Sequence, residues 1–402
     1  MSFKTPAKNK SGMGADLLKH EKIIPAKIAL LFSLAYLASS LCLPFLLADI
    51  EKASYIVSWA VCILCVPILY ISAKKTSHAV WLTILWFFLS AFVGSPVLPA
   101  IIFGTIISIS AASSLISASG NKGPVFLAVA TLLSFALTAV VTRDYLISLF
   151  SIAILIPAII LAFATKRKAW MTTAIAFSGF GLVVALIAVI IYRMYVLYGN
   201  IGLEGLLLAA DSFVDAFAYY TEYALTEVQG IVITPAMSQE ILSMAESYVN
   251  LAPGIIVAVC LVFAYFAHKA QKNLFFAYSI DEYIIPEMTL LTVSVPAAVI
   301  FTISYLLSFA TSANGNVSII AAIGNNICLM LMPCLILKGF AALKALPLKL
   351  GFWGILISGG LIVFFILSPS FPSLLALLGA FFVLIVSIDR WAKDHYGKGE
   401  QQ

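Results

Sequence analysis

The stretch AAIGNNICLMLMP, Ala321 to Pro333, sets two amide side chains, Asn325 and Asn326, among residues that otherwise avoid water. An amide carries two donors and an acceptor. Within an apolar span it must therefore bond another helix or a polar occupant such as a solute or water. A second group lies upstream: residues 198–250 hold seven acids and no Lys, Arg or His. At 100° per residue, Glu204, Asp211, Asp215 and Glu222 fall within about 40° of one another on a helix, forming one acidic stripe. Such a stripe faces water from an amphipathic surface helix, or it draws a cation or basic solute toward a mouth. In FGTIISISAASSLISASG, Gly104, Ser108 and Ala112 recur every four residues. That spacing suits close helix packing, and it equally suits a polar strip whose hydroxyls bind solute. Arg193, in AVIIYRMYVLYG, either reaches the interface beside Tyr192, Tyr195 and Tyr198 or pairs with an acid of the stripe.

All of this is binding chemistry. No pair of acids and no His/acid set stands where spans would converge, so the chain is read as a non-enzyme. The six cysteines, Cys42, Cys62, Cys65, Cys260, Cys328 and Cys334, lie in apolar runs and read as small hydrophobes. The four histidines stand singly near expected span ends. No metal centre and no cofactor are expected, and nothing points to nucleic acid.

The elements that must hold these residues are helices in a membrane. Of 402 residues 62% are hydrophobic and 10% charged, and the mean hydropathy is +1.08. A soluble domain has about 25% charged residues. Runs of about 20 apolar residues, enough to cross a hydrocarbon layer of about 30 Å, recur along the chain. The expectation is an all-α polytopic bundle of about twelve spans: 27–47, 54–72, 78–95, 97–118, 124–141, 145–164, 170–197, 251–268, 287–309, 317–339, 350–368 and 372–388. Seven form an N-terminal bundle (27–197) and five a C-terminal one (251–388), with the acidic segment 198–250 outside. A basic tail (1–26) and a short closing tail (389–402) lie in the cytoplasm. With this arrangement twenty of the 23 basic residues fall on the inner side, leaving only Lys52, Arg143 and Arg193 outside, as the positive-inside bias requires.

The polar-bearing span at Asn325 and Asn326, followed by LKGFAALK (Leu337–Lys344), two closing spans and SIDRWAKD (Ser387–Asp394), resembles the YybS-like family of uncharacterised bacterial multispanning membrane proteins. In that resemblance Gly339 matches a glycine ending the polar span, and Asp389 and Arg390 match a charged pair closing the last one. GFAALK departs from the GLA expected there, and twelve spans exceed the roughly eight of shorter relatives. The family is similar to the substrate-binding components of energy-coupling-factor vitamin transporters, which implies solute capture in the bacterial cytoplasmic membrane. The chain has no nucleotide-binding loop, so an energised step would need a separate partner subunit. Two functions are carried forward. One is solute binding or transport, with Asn325, Asn326, Ser108, Arg193 and the four stripe acids as contacts. The other is a structural or assembly protein that recruits partners within the lipid bilayer.

Overall fold

The computed structural model describes residues 24–48, 50–72, 76–92, 95–118, 122–167, 169–228, 230–277, 293–310, 318–367 and 371–396. The basic tail before residue 24, Lys74, Lys75, Lys168, the SIDEYIIPE loop and the closing residues after 396 lie outside them. In chain order the helices are α1 (Ala26–Leu47), α2 (Glu51–Ser72), α3 (Thr76–Phe92), α4 (Val97–Ala118), α5 (Lys122–Thr142), α6 (Tyr145–Leu149), α7 (Leu155–Lys166), α8 (Met171–Tyr198), α9 (Leu203–Tyr223), α10 (Pro235–Ala277), α11 (Val295–Leu307), α12 (Ile319–Leu367) and α13 (Phe371–Tyr396). The described residues are all helix and connection. A 3-10 turn joins α6 to α7, and a π turn, Ala224–Val228, extends α9.

Nine stretches among the described residues are long and apolar enough to cross a membrane, where the sequence suggested twelve. The other three expected spans coincide with shorter apolar helices, Val80–Ala91, Val295–Leu307 and Gly351–Leu361. A local feature marks one boundary of each. The Ser294 hydroxyl caps α11 by accepting from the Ala297 N–H at 3.3 Å, with Pro296 beside it, so this helix starts at Val295; the expected start near Glu287 lies outside the described residues. Gly351, at φ 58° and ψ −131°, turns the α12 backbone through a conformation that other residues avoid. The turn between α3 and α4 falls at Ser95 and Pro96.

The outer surface is unlike that of a soluble protein. Large apolar side chains point outward, as with Trp81 at 69%, Leu132 at 69% and Val140 at 75% exposure, while serines, alanines and glycines lie inside. That distribution fits lipid as the surrounding solvent, where helices associate through small residues. Phe32 and Tyr36 of α1 sit at the centre of an N-terminal core with Val61, Ile68, Ile109 and Leu115. A Cβ on Gly104 would stand 2.8 Å from a Val61 methyl, so the glycine is what lets α4 close on α1 and α2. A second core joins α11, α12 and α13 through Ala298, Phe301, Leu335 and Ala380. There Gly339 does not end a span; it lies within α12, where a Cβ would run into the Leu375 carbonyl, and Gly379 meets the Leu335 carbonyl in the same way.

Helix α10 connects the two cores. Its Ala267, Leu274 and Phe275 belong to the N-terminal one, while Ala264 and Tyr265 pack with Met171 and Ile175 of α8 and with Leu337 of α12. With 43 residues it is about 64 Å long, twice the hydrocarbon thickness. Its first half therefore extends beyond the apolar layer. Helix α9 packs antiparallel on that half: Phe217 meets Tyr248 with ring centroids 5.5 Å apart, and the Ser238 hydroxyl donates to the Glu222 carboxylate at 2.6 Å. The expected acidic segment is thus a helical hairpin, and no break separates its second arm from the following span.

Candidate functional site

Pro253 stands inside α10. Proline has no N–H, and its ring crowds the preceding turn, so backbone pairing around it is disturbed. The Gly254 N–H and the Asn250 carbonyl, which a regular helix would pair with each other, both bond the Asn326 side chain of α12. Its Oδ1 accepts from Gly254 at 2.7 Å, and its Nδ2 donates to Asn250 at 2.7 Å and to the Ala322 carbonyl at 2.9 Å. A Cβ on Gly254 would lie 2.9 Å from the Asn326 oxygens, so this approach needs a glycine. Asn325 points elsewhere; it is half-buried and has no hydrogen-bond partner among the described residues. Gly324 does not break α12. It is buried against α11, where a Cβ would meet the Ser304 carbonyl at 2.8 Å.

The other expected contacts do not gather around Asn326. The Ser108 hydroxyl is buried and donates to the Ala35 carbonyl of α1 at 3.4 Å. Arg193 donates to the carbonyl of Leu47, the last residue of α1, at 3.2 Å, where a cation complements the helix end. Beside it the Tyr192 hydroxyl donates to the Asp144 carboxylate at 2.8 Å, and the same carboxylate caps α6 by accepting from Leu146 and Ile147 at 2.7 and 3.2 Å. Burial raises the Asp144 pKa, but the Tyr192 hydroxyl and those two amides together hold it below the usual carboxylate value. On α9, Glu204 accepts from Asn200 at 3.0 Å and Glu222 is bonded to Ser238, while Asp211 and Asp215 are exposed.

His268, which the sequence reading set near a span end, and Gln271, which it did not consider, are both buried in the bundle. His268 is 5% exposed and Gln271 0%, one helical turn apart on α10. Both ring nitrogens of His268 and the Gln271 amide nitrogen are buried without a hydrogen-bond partner. The Gln271 carbonyl has the Thr165 hydroxyl of α7 at 3.2 Å. His268 stands fourteen residues past Gly254, hence about 21 Å along the axis and about 40° around it. Buried polar atoms are almost always paired, because an unpaired one loses its bonds to water for nothing in return. Further unpaired groups lie in the N-terminal core: the Ser39, Ser54 and Ser110 hydroxyls and the Trp86 indole N–H. A neutral imidazole beside an amide can donate to and accept from one small polar group, or pass a proton between its two nitrogens.

No family model, curated protein or solved structure matches the chain. The YybS-like resemblance therefore enters only as a proposal. Among the described residues no three His, Cys, Asp or Glu side chains are grouped so as to hold a metal ion. The sequence does not single out the His268 and Gln271 pair, because the expected span stops at residue 268, just ahead of Lys269 and Lys272; the signal is the i, i+3 spacing of two hydrogen-bonding side chains after an apolar run.

Proposed function

We propose that this polytopic membrane protein binds or transports a small polar solute, with His268 and Gln271 of α10 as its contacts. The supporting observation is their burial inside the bundle with three hydrogen-bonding atoms unpaired. Ionisable groups within spans are rare, and where they occur they mark pathways and binding sites. The resemblance to substrate-capturing transporter components supports the same reading, as does a bacterial cytoplasmic-membrane setting with the basic loops inside. An assembly role is the second reading. It is favoured by α9, where Leu206, Leu207, Tyr219 and Tyr220 are exposed on the same helix as Asp211 and Asp215.

The test is a thermal-shift screen of small polar metabolites on purified wild-type, H268L and Q271L protein, followed by uptake of any hit into proteoliposomes. The expected result is a ligand that raises the wild-type melting temperature, with affinity falling at least tenfold in folded H268L. A screen without a ligand, or a ligand that shifts both variants as much as wild type, overturns the solute reading in favour of assembly.

A further inference from the structure

Between α8, α10 and α12 runs a groove of about 420 Å³ whose walls are apolar almost throughout. Ala176, Leu261, Phe266, Met330, Met332 and Pro333 line it. Pro333 offers no N–H to the hydrogen-bond ladder of α12. The flexible methionine side chains make this wall adaptable. Ala176 and Phe266 are exposed, so the groove opens sideways, toward the surroundings that receive the outward Leu, Phe and Trp side chains.

Its depth and its charged end identify the occupant. Helices α10 and α12 run parallel here, since Asn326 meets Gly254 and Leu337 meets Tyr265. The lining spans Ala258 to Phe266 and Leu329 to Leu337. Each stretch rises about 12 Å, close to half of a hydrocarbon layer of about 30 Å, the share of one leaflet. Lys269 continues the face of Phe266 by one turn, and Lys344 continues that of Leu337 by two. Lys166 and Arg167 stand at the same end, because Thr165 reaches Gln271 and Met171 packs beside Tyr265. All four cations are exposed, and α8, α12 and this end of α10 contain no acid.

We propose that the groove holds one acyl chain of an anionic phospholipid from the leaflet at that end, with the phosphate seated between Lys269 and Lys344. A chain satisfies walls that offer almost no hydrogen bonds, and the cations select the headgroup. The experiment is native mass spectrometry of the delipidated full-length protein, titrated with phosphatidylglycerol and with phosphatidylcholine of identical chains. One phosphatidylglycerol should bind tightly, with phosphatidylcholine at least tenfold weaker. A176W, a change at the exposed mouth, should weaken phosphatidylglycerol at least tenfold. K269Q and K344Q should each weaken it about fivefold and leave phosphatidylcholine unchanged. A258W fills the groove from another wall. Wild-type phosphatidylglycerol binding in both tryptophan variants overturns the proposal, as does equal affinity for the two lipids.

Discussion

Replacing Asn326 by Leu would remove the bonds its amide makes to the Gly254 N–H and the Asn250 carbonyl on either side of Pro253. Single interhelical hydrogen bonds in membrane proteins average about 0.6 kcal/mol and reach about 1.7. Because one amide here serves two backbone groups of α10, N326L should fall near the upper figure, about 1.5 kcal/mol. N325L, which removes no bond to a described residue, should cost much less. Melting both variants in detergent against wild type checks the order, and equal losses would contradict it. The sequence made the cost of two amides in a span legible. It did not say which one reaches a neighbour, because adjacent residues on a helix point about 100° apart and only one of them faces α10.

Helix boundaries depend on small polar groups that hydropathy averages away. The Asp144 carboxylate caps α6 and binds Tyr192 of α8, so it fixes where α5 ends and how α8 stands beside it. Its pKa in the folded protein is depressed below the unfolded value. Its charge-dependent contribution is therefore fully present above the unfolded pKa, about 4, and is lost as pH falls through the folded one. D144A should cost about 1 kcal/mol at pH 7, the usual value of a helix cap. In D144N, which keeps a capping side chain, the deficit relative to wild type should shrink as pH is lowered from 7 to 3. A deficit independent of pH would show that the charge contributes nothing. Similar local devices set the span count: Ser294 with Pro296 and Gly351 start or bend helices inside stretches whose apolar composition alone reads as whole spans. The long runs of α1, α4, α5 and α8 were legible because no charged residue stands in their middles, and the α9–α10 pairing was not, because it depends on contacts such as that of Phe217 with Tyr248.

For the whole molecule, α12 and α13 decide the topology: Gly339 meets Leu375 and Gly379 meets Leu335, so α13 runs antiparallel to the first part of α12, and the Gly351–Leu361 helix begins and ends on one side, where Leu343 and Phe371 pack together. Helix α3, with 17 residues, covers about 25 Å, a shortfall that local bilayer thinning accommodates. Reporter fusions after Lys168 and after Lys272 should accordingly read cytoplasmic, and fusions within the α9–α10 hairpin and at Gln402 external, where the sequence alone suggested a cytoplasmic C-terminus. A cytoplasmic reading at Gln402 would require the Gly351–Leu361 helix to cross and would contradict this packing. The bridge between α10 and α12 has a further consequence, in time. Asn326 is made 72 positions after Gly254, which at about 5–20 residues per second is about 4–14 s of translation. Throughout that interval the nascent chain holds α10 without the amide that completes its middle turn, so this helix is finished by a residue the ribosome has yet to add.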